Sequence, residues 1–267
     1  MTSGRRQIPL LLAVLLLGSL ALPAAAGAAA GGASPDLIVL PGTPGTTVRV
    51  GNPLLNASAN GVSIAVHASA MMRGLVRVSG KAPPRHARSV RIDHLDPLLG
   101  WVAATTAPVA ADGSFHALWR PTRAGATQIR AVPITAAGGS SAGGAGAASG
   151  SAGANGPAPQ LGLTVYHPGV ASWYGPGSYG TTTACGVVLT KSTIGVAHRT
   201  LPCGTNVALY YHGRTVVVPV IDRGPYVHGR SWDLTLATYH ALGGRSEGLL
   251  TLGALTVATP PPAPAAG

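Results

Sequence analysis

The chain has 267 residues, a mass of 26.5 kDa and a formal charge of +11, from 18 Lys and Arg against 7 Asp and Glu. Only 9% of residues are charged and 4% aromatic, while Gly and Pro number 38 and 23, which excludes a coiled-coil or long-helix protein. No apolar stretch of about 18 residues follows the N-terminal region, which excludes a multi-span membrane protein.

In chain order, residues 1–30 read as a signal peptide. Arg5 and Arg6 form a positive start, Ile8 to Leu22 an apolar run, and Pro23 to Ala30 a small-residue zone suited to cleavage. Losing Arg5 and Arg6 lowers the charge from +11 to +9. No Cys lies near the cleavage zone, so the sequence predicts a secreted or cell-wall-associated protein with no stable membrane anchor after cleavage. A basic protein outside the cell gathers at anionic cell-wall polymers. Nucleic acid is not an expected partner, because there is no basic cluster, zinc pattern or aromatic RNA-binding motif.

Residues 36–166 read as short strands about ten residues apart, at Leu37–Leu40, Thr47–Val50, Val62–His67, Leu75–Ser79, Val90–Asp93, Trp101–Thr105, Phe115–Trp119 and Gln128–Val132. Ala111-Asp112-Gly113-Ser114 is a tight-turn signal. This spacing predicts an immunoglobulin-like β-sandwich, a spacer or binding module without a His, Cys or acid cluster. The Gly/Ala/Ser composition of 137–159 predicts a disordered insertion. Leu161 to Tyr166 reads as a strand returning to the sandwich, which places the domain boundary near His167. A Pro/Ala tail at 258–267 is likewise predicted to be disordered.

Residues 168–257 differ in kind, holding eight of the chain's twelve aromatics and three acids, Asp222, Asp233 and Glu247. Strands are predicted at Val170–Trp173, Val207–Tyr211, Thr215–Ile221 and Leu252–Val257. A short helix is predicted from Thr235 to Leu242, ended by Gly243. The whole predicts an all-β chain, a sandwich followed by a small barrel. Cys185 and Cys203 form an even pair suited to an oxidising compartment. Bridging them closes a loop worth about 3 kcal/mol, and two unbridged buried thiols are the other reading.

Four ordered motifs stand in this region: Ala171-Ser-Trp-Tyr-Gly-Pro-Gly177, Gly195-Val-Ala-His-Arg-Thr-Leu-Pro202, Val220-Ile-Asp-Arg-Gly-Pro-Tyr226 and Gly229-Arg-Ser-Trp-Asp-Leu-Thr235. Together they resemble the rare lipoprotein A family. The resemblance implies a six-stranded double-psi β-barrel, related to expansins and barwin-like proteins, and an activity that cleaves peptidoglycan glycan strands as a lytic transglycosylase. It puts the family's functional His and Asp on His198 and Asp222, and the acid of related barrel enzymes on Asp233. Such an enzyme uses the sugar's own hydroxyl as nucleophile, so no second carboxylate need activate water. Neither the family's lipoprotein Cys nor its C-terminal repeat domain is found in the sequence.

The residues themselves leave alternatives open. Glycosidic cleavage needs a carboxyl of raised pKa to protonate the leaving oxygen. Asp222 ends an apolar strand and is either that acid or a turn cap. Asp233, beside Trp232, is either a desolvated acid or the N-cap of the following helix. Arg223 would favour the charged form of Asp222, and as a substrate-binding residue it joins Trp173, Tyr174, Tyr226 and Trp232, candidate sugar platforms or core residues. His198 is either functional or a satisfied buried histidine. No close ligand spacing links His198, His212, His228 and the acids, so neither metal nor cofactor is expected. The predicted function is an exported lytic transglycosylase acting on glycan strands. A non-catalytic, expansin-like wall-binding or wall-loosening protein is the alternative, and only the enzyme needs a carboxyl that exchanges protons. A third reading, a disulfide-stapled secreted inhibitor, leaves the four motifs unexplained.

Overall fold

The computed structural model describes residues 37–39, 47–85, 87–135 and 158–257. The predicted leader, nearly all of the Gly/Ala/Ser insertion and the C-terminal tail lie outside the described residues. The first strands are β1 (Leu37–Val39), β2 (Thr47–Val50), β3 (Leu54–Ala59), β4 (Val62–His67), β5 (Ser69–Met71), β6 (Val76–Lys81), β7 (Ser89–Asp96), β8 (Gly100–Pro108), β9 (Ser114–Trp119) and β10 (Gly125–Ile134), with buried and less buried residues alternating most cleanly in β4 and β9. A long strand, β11 (Gln160–Tyr174), follows.

One sheet has the antiparallel order β3-β4-β6-β9. The facing layer joins β11, β10, β7 and β8 antiparallel, with β5 pairing parallel to β11. Only Ala68 separates β4 from β5, so the chain changes sheets in one step. The layers share a core in which Ile64, Val78 and Phe115 meet Ile92, Ile129 and Val165. Strands β3 and β5 were not predicted. β3 buries no residue fully and β5 is three residues long, so neither carries a strong apolar alternation.

Within this core layer Asp93 is 1% exposed, on a bulge of β7. Arg91 Nε donates to it at 2.7 Å and Arg130 Nε at 2.9 Å, and the Arg130 guanidinium lies over the Trp101 ring at 4.5 Å. A carboxylate so desolvated is tolerated only because both guanidiniums face it.

The second half of β11 opens a closed barrel with β12 (Val196–Ala197), β13 (Asn206–Tyr211), β14 (Arg214–Asp222), β15 (Trp232–Thr235) and β16 (Leu250–Thr256). The ring runs β11-β16-β13-β14-β12-β15 and returns to β11, its pairs antiparallel except β14–β12 and β15–β11. Its core holds Val196, Leu209, Val216, Val218, Val220, Leu234 and Leu252. Helix α1 (Leu236–Ala241) closes one end, its N-cap Thr235 accepting from Thr238 N, and Gly243 follows at φ +87 where a side chain would be strained. Cys185 and Cys203 form a disulfide with Cα atoms 5.7 Å apart.

The strands at 37–39 and 47–50, read with the sandwich from sequence, hydrogen-bond elsewhere. β1 pairs β2, and β2 pairs β14 of the barrel, with Val48 buried in the barrel core. The strand β11 also runs unbroken past the boundary that Pro168-Gly169 suggested.

Two stability changes follow from these contacts. Asp93→Ala strands two guanidiniums and should destabilise the fold by about 3 kcal/mol, roughly a 10 °C fall in melting temperature. Urea and thermal unfolding followed by circular dichroism measure it. Reducing Cys185–Cys203, whose sequence separation is 18, should cost about 3 kcal/mol. Thiol titration under denaturing conditions, before and after reductant, reads the bridge directly.

Candidate active site

Backbone pairing builds the site. Ala197 on β12 stands opposite Asp222 of β14 on one side and Asp233 of β15 on the other. Asp233 in turn pairs with Ser172 of β11. Four residues distant in sequence thus lie in one row across four strands. Neighbouring strands are about 4.8 Å apart, so two spacings put the Asp222 and Asp233 backbones about 10 Å apart.

The two carboxyls meet different surroundings. Asp222 Oδ1 accepts from Arg223 N at 2.8 Å and from Ala184 N at 2.9 Å. It therefore caps its own turn and ties down the loop that carries Cys185. Asp233 is a strand residue and not a helix cap, because β15 continues to Thr235 and Thr235 performs the capping. Its Oδ1 is sealed from solvent without a hydrogen-bond partner among the described residues. Burial pushes the Asp233 carboxyl above the usual carboxylate range and the charge of Asp222 adds to this, while the Ser172 hydroxyl and Arg230 oppose it. Tyr174 lies against both acids. Burial first, then Asp222 and Asp233, push its hydroxyl well above the usual phenol range. The hydroxyl is sealed from solvent, with Asp222 in reach but no closed hydrogen bond.

His198 follows β12, and its backbone N–H donates to the Asp222 carbonyl at 3.2 Å. Its Nδ1 accepts from Thr200 N at 3.2 Å and Leu201 N at 3.0 Å, so the proton of the neutral ring sits on Nε2. Burial, then Arg199 and Arg223, push its pKa below the usual value. The ring packs on Trp232 with centroids 4.5 Å apart, beside a cleft of about 370 Å³ also walled by His167, Leu201 and Ala254.

Arg223 donates to His198 O at 3.2 Å, Leu201 O at 2.9 Å and Cys203 Sγ at 3.2 Å. That guanidinium, predicted to hold substrate, braces the 198–203 loop. Trp232 is 8% exposed and belongs to the barrel core, so the platform reading falls to other aromatics. Tyr226 is 78% exposed, four residues beyond Asp222. Trp173 alternates away from Ser172 and Tyr174, packs on Tyr239 at 5.5 Å and donates to Glu247 O. Glu247 accepts from Arg245 N, Ser246 N and Tyr239 Oη, which hold its carboxyl down to about 2 and make it a loop cap. Ser172 was not singled out in sequence. The signal was its position two residues before Tyr174, which puts both side chains on one face of a strand.

The barrel region is similar in sequence to known proteins. Residues 167–253 match the family model described as "Lytic transglycolase". A probable endolytic peptidoglycan transglycosylase RlpA of Synechocystis sp. is 45% identical over 83 residues, 30% of this chain and 26% of that protein. Its counterpart in Aquifex aeolicus is 44% identical over 87 residues, 32% of this chain and 38% of that protein. The endolytic peptidoglycan transglycosylase RlpA of Campylobacter jejuni is 44% identical over 69 residues, a quarter of each chain. The chain thus spans well under half the length of these curated relatives. Among solved structures, the Streptomyces papain inhibitor matches with a TM-score of 0.29 and 27% identity, over 34% of this chain and 92% of that one. The family match, the RlpA relatives and the closed barrel agree that residues 167–253 are a double-psi β-barrel domain of the RlpA-like family.

Proposed function

We propose that the protein is an exported, peptidoglycan-cleaving lytic transglycosylase whose barrel acts on wall glycan strands. The observation that carries this reading is the unequal pair across β12. Asp233 is pressed towards its protonated form by burial, and Asp222 sits in register with it, held by backbone donors. Asp233 gives its proton to the glycosidic oxygen as the C1–O bond breaks. The hydroxymethyl oxygen of the same sugar then bonds to C1, and its proton passes back to the Asp233 carboxylate. Atoms balance without water, leaving an anhydro end and a new hydroxyl end. The Asp222 carboxylate stabilises the positive charge that develops at the sugar ring, and His198 donates from Nε2 to a sugar oxygen. Tyr226 offers an exposed ring for the glycan to stack on.

The remaining chain fits a wall-binding module. The switch from β4 to β5 and the parallel pairing of β5 with β11 support an immunoglobulin-like reading of the sandwich. The excess of Arg and Lys over Asp there suits anionic wall polymers in an extracytoplasmic setting.

With purified full chain and peptide-free glycan, mass spectrometry should find anhydro-ended sugars. Asp233→Asn should lower their release by at least ~10²-fold, yet raise thermal stability at neutral pH, since it removes a carboxyl that ionises freely in the unfolded chain but is hindered from ionising by burial in the folded one. Loss of release together with loss of folding would count against the assignment. Asp222→Asn should also cut release while leaving sedimentation with insoluble glycan intact. Binding without release by the wild type would favour the expansin-like alternative.

His198 gives a pH test. A histidine whose folded pKa is depressed takes up its proton more readily when unfolded, so its contribution to stability falls as pH drops below the ordinary value of about 6.5. Nitrogen-15 NMR titration should place its midpoint below that value. His198→Gln, which keeps an acceptor, should lose that part of the pH dependence of melting.

A further inference from the structure

Among the described residues, four buried side-chain polar atoms lack a partner, and three of them, Ser172 Oγ, Tyr174 Oη and Asp233 Oδ1, gather at one spot beside Asp222. Buried polar atoms are nearly always paired, so such a cluster asks for a function. Register explains the gathering. Ser172 and Tyr174 share one face of β11, and Ser172 pairs with Asp233 on the parallel strand β15.

Taking the proposed lytic reaction as given, we propose that Tyr174 is a positioning residue for the acid pair, its buried hydroxyl donating to Asp222 so that the shared proton stays on Asp233. The hydroxyl is sealed from solvent, so it does not touch the glycan and acts through the carboxyls. It has one proton to donate and two acids in reach. Asp222 already accepts from Ala184 N and Arg223 N, and a third donor completes a set that favours the charged form. Asp233 faces Ser172, Arg230, Tyr174 and the like charge of Asp222. The charge of Asp222 opposes ionisation of Asp233, so a donor that holds the charge on Asp222 helps to keep the proton on Asp233. Burial and the two acids keep the Tyr174 hydroxyl protonated, which makes it a constant donor over the working range. The hydrogen bond is open in the free protein and closes when glycan shields the row, as catalytic hydrogen bonds commonly do.

Tyr174→Phe in the full chain is the test, because it deletes one oxygen and keeps the ring. Hydrogen bonds to charged groups are worth enough to predict about a tenfold fall in kcat/KM and a rise of about one pH unit in the acidic limb of the pH–rate profile. A normal rate, or a lower rate with the limb unmoved in a folded variant, would overturn the proposal. Carbon-13 NMR titration of the carboxyls of wild type and Tyr174→Phe, each saturated with a glycan fragment too short to be cleaved, keeps the proposal testable apart from activity. A wild type that releases no anhydro sugar defeats the lytic reading, whereas coincident carboxyl titrations in the two proteins defeat the role of Tyr174. An inactive wild type whose carboxyl titrations shift in the variant would uphold that role.

Discussion

One strand holds both cores together. Residues 160–165 of β11 pair with β10 in the sandwich, 167–171 with β16 and 171–174 with β15 in the barrel. Leu163 and Val165 belong to the first core and Ala171 to the second. The change of partner falls at 166–168, where Pro168, which has no N–H to donate, is tolerated. Gly253 lies opposite Pro168, where a side chain would collide with Tyr166 and Met71, so glycine lets the two cores approach. The same strand ends in Ser172, Trp173 and Tyr174, and the closure that makes the fold therefore also aims the site.

The site depends on giving two identical residue types unequal surroundings. Asp222 lies where a strand ends, and two backbone N–H groups are free to meet it. Asp233 lies within a strand, where the backbone donors are already engaged in the ladder, and its side chain faces Ser172, Tyr174, Arg230 and the charge of Asp222. Strand geometry alone thus gives the two carboxyls unequal partners. The disulfide and Arg223 act at one remove, bracing the loops from which Ala184 N and His198 reach the row.

Much of this was legible in the sequence because it rested on local signals. The apolar run Val216–Ile221, the cysteine pair, the cap glycine Gly243 and the four motifs all carry their own chemistry over a few residues. The rest was not legible, for reasons of range. β12 is two residues long and has no periodicity, yet it is the strand that sets Asp222 opposite Asp233. Trp232 reads equally well as platform or core, and only the packing of His198 on it decides. Arg223 beside Asp222 suggests a charge pair, but its guanidinium turns to carbonyls and a sulfur some twenty residues away, a choice no spacing rule contains.

The dependence of the barrel on chain outside residues 167–253 bears on how its chemistry is to be studied. Val48 fills a place in the barrel core, and β2 covers the edge of β14 over Arg214–Val217. Tyr210 stacks on Tyr166 at 5.1 Å and accepts from Asn52 Nδ2 at 3.0 Å, and Asn52 also holds Ser69 through both its backbone groups. A fragment beginning at Pro168 would cut β11 in its middle, uncover Tyr210 and leave the β14 edge unpaired. Unpaired edges and exposed aromatics favour association. A silent fragment would therefore reflect a damaged barrel before it said anything about Asp222 or Asp233, and the full chain is the unit on which the carboxyl pair has its meaning.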